Sequence, residues 1–96
     1  MLVHNHFTKK NSSIAQFSTV IINNYNSRAA LFQGQAGFVG ISNSISESGD
    51  TLTISLEWTT SEARQQVINA TNLGTLGREL QDYCLANTIL TTRSVT

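Results

Sequence analysis

Two kinds of hydrophobic periodicity alternate along this chain, and their order leaves few folds open. Residues 1 to 8 alternate, with Val3, Asn5 and Phe7 on one face and Leu2, His4 and His6 on the other, the pattern of a half-buried strand. The period then changes. Ile14, Phe17, Ile21, Tyr25, Arg28 or Ala29, and Phe32 recur at spacings of three and four, drawing an apolar stripe down a helix of about five turns. Ser13 followed by Gln16 supplies a capping box for its start, and Gly34 suits the left-handed position beyond its end. The β-branched run from Thr19 to Ile22 favours a strand on its own, but the stripe extends on both sides of it, and propensity yields to period when the caps agree.

Period two returns after Gly37. The segment 38 to 46 places Val39, Ile41 and Ile45 on one face, and residues 51 to 58 place Leu52, Ile54, Leu56 and Trp58 on one face. Between them, Glu47 to Asp50 has the small, glycine-containing composition of a hairpin connection, so the two strands are expected to be adjacent and antiparallel. Thr59 with Glu62 makes a second capping box, and Ala63, Val67, Ala70, Leu76, Leu80 and Tyr83 continue a helical stripe. Gly74 and Gly77 weaken that helix, which predicts a break or bend around Asn72 to Gly77. The tail from Ile89 to Val95 is rich in Thr, Val and Ile and reads as a last strand. Strand, helix, strand, strand, helix, strand is the split βαβ order of the ferredoxin-like folds, an α+β class with an antiparallel sheet and two helices on one face. With 96 residues and no internal linker, the chain is expected to form one domain over 1–96.

Charge narrows the partners. Charged residues make up 12% of the chain and the formal net charge is zero, which leaves no basic footprint for nucleic acid. No run approaches the roughly 20 apolar residues that span a bilayer, and the start lacks the charged, apolar and small-residue succession of a secretory signal, so the expectation is a cytoplasmic protein without a membrane partner. The lone Cys84 makes neither an internal disulfide nor a Cys-based zinc site.

On three stretches the chain resembles the antibiotic-biosynthesis monooxygenase-like family. They are Asn5 in the first strand, Ala36 to Gly40 at the entry to the second strand with its Gly-Phe pair, and Leu56 to Ala63, where a Trp precedes a Ser/Thr-capped, acidic helix start. The resemblance implies a homodimer whose two sheets join into a dimeric α/β barrel. Some members of the family oxidise aromatic substrates with oxygen and no metal or flavin, which implies no cofactor here and a small aromatic ligand. Others degrade haem; the stretch Val67 to Ala70 offers no His, which removes the axial ligand that haem chemistry would need.

The resemblance marks Asn5 and Trp58 as catalytic candidates, because both stand where the family's pocket residues stand. Asn5 shares its face with Val3 and Phe7, and a buried amide there must find hydrogen-bond partners. It could orient a substrate phenol or hydroperoxide oxygen while Trp58 offers a flat stacking surface. In register with Leu52, Ile54 and Leu56, Trp58 is also simply the largest residue of the core. Tyr25 and Tyr83 fall on the helical stripes and, with Phe7, are the candidates for substrate binding, with packing as the competing role. His4 and His6 project from one strand face, but two imidazoles with no third ligand nearby do not make a metal site, and no metal is expected. The competing function is a non-catalytic dimeric scaffold or small-ligand-binding domain, which the scarcity of ionisable groups supports.

Overall fold

The computed structural model describes residues 1–11 and 16–95, the last three of them by their backbone alone. Its elements run β1 (Leu2–Lys9), α1 (Phe17–Phe32), β2 (Phe38–Ile45), β3 (Thr51–Trp58), α2 (Ser61–Ala70), α3 (Gly74–Asn87) and β4 (Thr88–Val95). The four strands form one antiparallel sheet in the order β2-β3-β1-β4, the ferredoxin-like arrangement. β1 therefore lies between β3 and β4, and its register sets Val3 opposite Leu56, Phe7 opposite Leu52, and Asn5 between Ile54 and Thr92.

Cross-strand partners point to the same side of a sheet, so one face collects Val3, Phe7, Leu52, Ile54, Leu56 and Trp58. Against it pack Phe17, Ile21, Tyr25 and Phe32 of α1, Val67 of α2, and Leu80 and Cys84 of α3. The run from Thr19 to Ile22 is helical, with Ile21 fully buried and Val20 exposed, as the stripe requires. No described helix is long and apolar enough to cross a membrane.

Several local expectations are corrected. The Ser13 half of the first capping box lies outside the described residues; Gln16, expected within the first turn, instead precedes α1 in the left-handed region at φ 60° with no side-chain cap. At the second helix the N-cap is Thr60 rather than Thr59: its Oγ1 accepts the Ala63 amide at 3.0 Å, while the Thr59 amide is spent on the Gly37 carbonyl at 2.9 Å. The break expected around Asn72 to Gly77 is present and falls at residues 71–73, at the early end of that range. There the Thr71 hydroxyl donates to the Val67 carbonyl at 2.7 Å and Asn72 Oδ1 accepts the Gly74 amide at 3.1 Å, so Gly74 opens α3 and Gly77 lies inside it. Ala70, placed on the stripe, is exposed.

The last correction concerns β2. A bulge between Phe38 and Gly40 takes Val39 off the ladder and leaves it 54% exposed, while Phe38 takes the place opposite Trp58. Phe38, Phe32 and Trp58 then form a mutual aromatic cluster, with centroids 5.2–5.5 Å apart. Ile41 and Ile45 do share the face of Leu56 and Leu52, but β2 is an edge strand and Ile45 remains 52% exposed.

Candidate active site

Between the sheet and α1 and α2 lies a cavity of about 220 Å³. The sheet supplies Val3, Asn5, Leu56, Trp58 and Thr92 to its floor. Tyr25, Arg28 and Phe32 come from successive turns of α1, Arg64 and Ile68 from one face of α2, and Leu73 from the break before α3.

The polar groups of the floor are linked. Thr92, directly across from Asn5 on β4, donates its hydroxyl to Asn5 Oδ1 at 2.9 Å, and Asn5 Nδ2 donates to the Tyr25 hydroxyl at 3.2 Å. Asn5 is thereby fixed in one orientation by a neighbouring strand and by α1. Phe7, fully buried beneath, meets the Tyr25 ring edge-on at 5.9 Å and braces it. Burial pushes the Tyr25 phenol above its ordinary range, against the opposing pull of Arg28, the Asn5 hydrogen bond and Arg64. The phenol thus keeps its proton at neutral pH, and that proton has no acceptor among the described residues.

Trp58 sits 2% exposed on the same wall, and its Nε1 is a buried donor without a hydrogen-bond partner among the described residues. Arg28 is held in place from two sides. Its Nε donates to Asn24 Oδ1 at 2.8 Å and its guanidinium lies 4.8 Å from the Tyr25 ring centre. Asn24, buried in mid-helix, ties this arrangement to α3 by donating to the Leu76 carbonyl at 2.9 Å.

Of the five residues singled out from sequence, Asn5, Trp58 and Tyr25 line this one cavity. Phe7 lies beneath it in the core, and Tyr83, half-buried on α3, lies away from it. Sequence reasoning missed Arg28, Arg64 and Thr92 as site residues. Arg28 carried a signal, a cation three positions after Tyr25 on an apolar stripe; Thr92 carried none, because its place opposite Asn5 depends on the pairing of distant strands. His4 and His6 project from the opposite sheet face, where their Nδ1 atoms lie 2.7 Å and 2.8 Å from the hydroxyls of Ser55 and Thr53.

A second, wider groove of about 400 Å³ runs between α1, α3 and β4. It shares Tyr25 and Arg28 with the first, but its remaining wall is largely aliphatic, with Leu80, Leu85 and Leu90 beside the buried Cys84. The smaller cavity is the one in which polar groups converge.

No family model matches the sequence, and no curated protein matches it. Solved structures do. The chain is similar to SnoaB, a cofactor-independent oxygenase from Streptomyces nogalater, at 19% identity and a TM-score of 0.67, covering 99% of this chain and 89% of that one. It is similar to a candidate antibiotic biosynthesis monooxygenase from Bordetella bronchiseptica at 13% identity and a TM-score of 0.57, covering 99% and 97%. A conserved protein from Methanosarcina mazei matches at 11% identity and a TM-score of 0.65, covering 100% and 94%. At these identities the likeness is one of fold, and it extends over the full length: the chain has the ferredoxin-like fold of the antibiotic-biosynthesis monooxygenase structures, shared with cofactor-independent oxygenases.

Proposed function

We propose that the protein is a cofactor-independent oxygenase-like enzyme that binds a small aromatic molecule in the cavity above Asn5. The observation that carries this reading is the convergence of Asn5, Tyr25 and Trp58 on one cavity, in a fold shared with cofactor-independent oxygenases. An oxygenase that works without flavin or metal needs an electron-rich substrate, since the substrate itself must give its electrons to oxygen. The protein's task is then to orient that substrate, exclude water and stabilise negative charge on oxygen. Trp58, Phe32 and Tyr25 offer ring surfaces for stacking. The unpartnered Trp58 Nε1 and the Tyr25 hydroxyl are donors available to a substrate oxygen, and Asn5 holds the tyrosine in place.

Oxygen uptake with a panel of phenols and hydroquinones tests the reading. The native chain is expected to raise uptake above buffer, and Asn5→Ala to lower the rate by about a hundredfold, the usual cost of losing one polar group that supports an oxyanion. Uptake no different from buffer would leave the second reading, a non-catalytic small-ligand-binding domain. That reading has its own observation: the Asn5 amide is engaged at both ends, by Thr92 at Oδ1 and by Tyr25 at Nδ2, as a structural residue would be.

The assembly belongs to the same proposal. Structures of the antibiotic-biosynthesis monooxygenase type are typically dimeric. Here the sheet face that carries His4, His6, Thr53 and Ser55 is opposite the helices. The proposed homodimer covers that face with a second copy and closes the two sheets into a barrel, leaving each cavity on the helical side.

A further inference from the structure

The cavity is unbalanced in charge and in hydrogen-bonding sense. Arg28 and Arg64 both line it, two of the six Lys and Arg residues in the chain, and no Asp or Glu does. Neither guanidinium is joined to a carboxylate among the described residues. Among the described residues the hydrogen bond Arg28 makes is from its Nε, to Asn24, and its guanidinium lies over the Tyr25 ring, which leaves its terminal amino groups for another partner. Trp58 Nε1 is a third donor, buried and without a partner among the described residues, and a buried donor without an acceptor costs stability unless something fills its place. The one amide oxygen on the wall, Asn5 Oδ1, is already engaged by the Thr92 hydroxyl. The charged groups of the wall are therefore all cations with no carboxylate to answer them, and both guanidinium groups lie in a partly desolvated space, where charge is felt more strongly than in water.

We propose that the ligand of this cavity is a small aromatic acid, whose carboxylate is bound by Arg28 and Arg64 with Trp58 Nε1, and whose ring lies among Phe32, Tyr25 and Trp58. The proposal rests on the same cavity as the oxygenase reading and adds the charge of what enters it. Arginine is suited to the role because its planar fork meets the two oxygens of a carboxylate together. A volume of about 220 Å³ suits one ring or two fused rings.

Trp58 is the only tryptophan of the chain, so its fluorescence reports on this wall alone. Binding of benzoate and of its neutral isostere benzamide, with 2-naphthoate and 2-naphthamide as the larger pair, is read by that fluorescence and by calorimetry on the full chain. The acids are expected to bind about tenfold or more tightly than the amides, the order of gain from a charge-assisted pair, and to lose that preference in high salt. Arg64→Gln, at a half-buried position on the surface of α2, is expected to abolish most of the preference by weakening the acids far more than the amides. Arg28→Gln tests the second cation, and Arg64→Lys, which keeps the charge, should restore part of the preference. Equal binding of acid and amide, binding of neither, or a preference that survives both glutamine variants would overturn the proposal. Binding is read without oxygen consumption, so the two ideas fail separately. A protein that prefers benzoate but oxidises no phenol keeps this inference and loses the oxygenase reading; one that oxidises phenols with no charge preference does the reverse.

Discussion

Tyr25 gathers opposing influences on one hydroxyl. Burial raises its pKa above 10.0, while Arg28, the Asn5 hydrogen bond and Arg64 pull it down without prevailing. A phenol whose folded pKa is raised contributes stability in full below the ordinary tyrosine range, and that contribution is lost as pH rises through and beyond about 10. Tyr25→Phe is expected to cost about 1 kcal/mol at neutral pH, because Asn5 Nδ2 loses its acceptor. The gap between the two proteins should narrow as pH climbs past about 10, where the native phenol resists an ionisation that the unfolded chain allows. Urea unfolding at neutral and alkaline pH checks both statements; a gap that widens with pH would show that the phenol is not buried as described.

At the scale of elements, the cavity depends on how closely α2 approaches the start of β2. Gly37 has φ +101°, and a Cβ added to it would collide with the Ala63 side chain on α2, while its carbonyl accepts the Thr59 amide at 2.9 Å. Gly34, at φ +82° after α1, has open space around it. Both positions favour glycine on backbone grounds, but only one is also a packing contact. Gly34→Ala is expected to cost about 1 kcal/mol, the penalty of the left-handed conformation. Gly37→Ala should cost about 3 kcal/mol, since α2 must also move away from the sheet. Thermal or denaturant unfolding of the two variants distinguishes them. The displacement caused by Gly37→Ala should also weaken any ligand that touches Arg64, whereas Gly34→Ala should leave binding alone.

For the whole molecule the question is what covers the second face of the sheet. Light scattering coupled to size exclusion at micromolar concentration is expected to give twice the 10.5 kDa chain mass. A monomer there would contradict the proposed barrel and leave the cavity, which the helical side builds alone, untouched.

How much of this was legible depended on range. Period and caps are local, so the alternation in residues 51 to 58 and the stripe from Phe17 to Phe32 were enough to order the elements and to override the strand preference of Thr19 to Ile22. The same locality misled at Val39, because a bulge is a decision between two strands and leaves no mark in the period of one. It did find the helical break, but hydrogen bonds from Thr71 and Asn72 accompany that break at its early end, ahead of Gly74 and Gly77. Asn5 and Trp58 could be singled out because an amide on an apolar strand face and a tryptophan at a strand end are visible one residue at a time. That Asn5 is gripped by Thr92, that Tyr25 meets it while Tyr83 does not, and that Arg28 and Arg64 share its cavity were decided only by tertiary structure. The physical reason is that a strand pattern gives a side chain its face but not its neighbour, and here the neighbours come from registers that pair residue 5 with residue 92 and set two helices over one sheet.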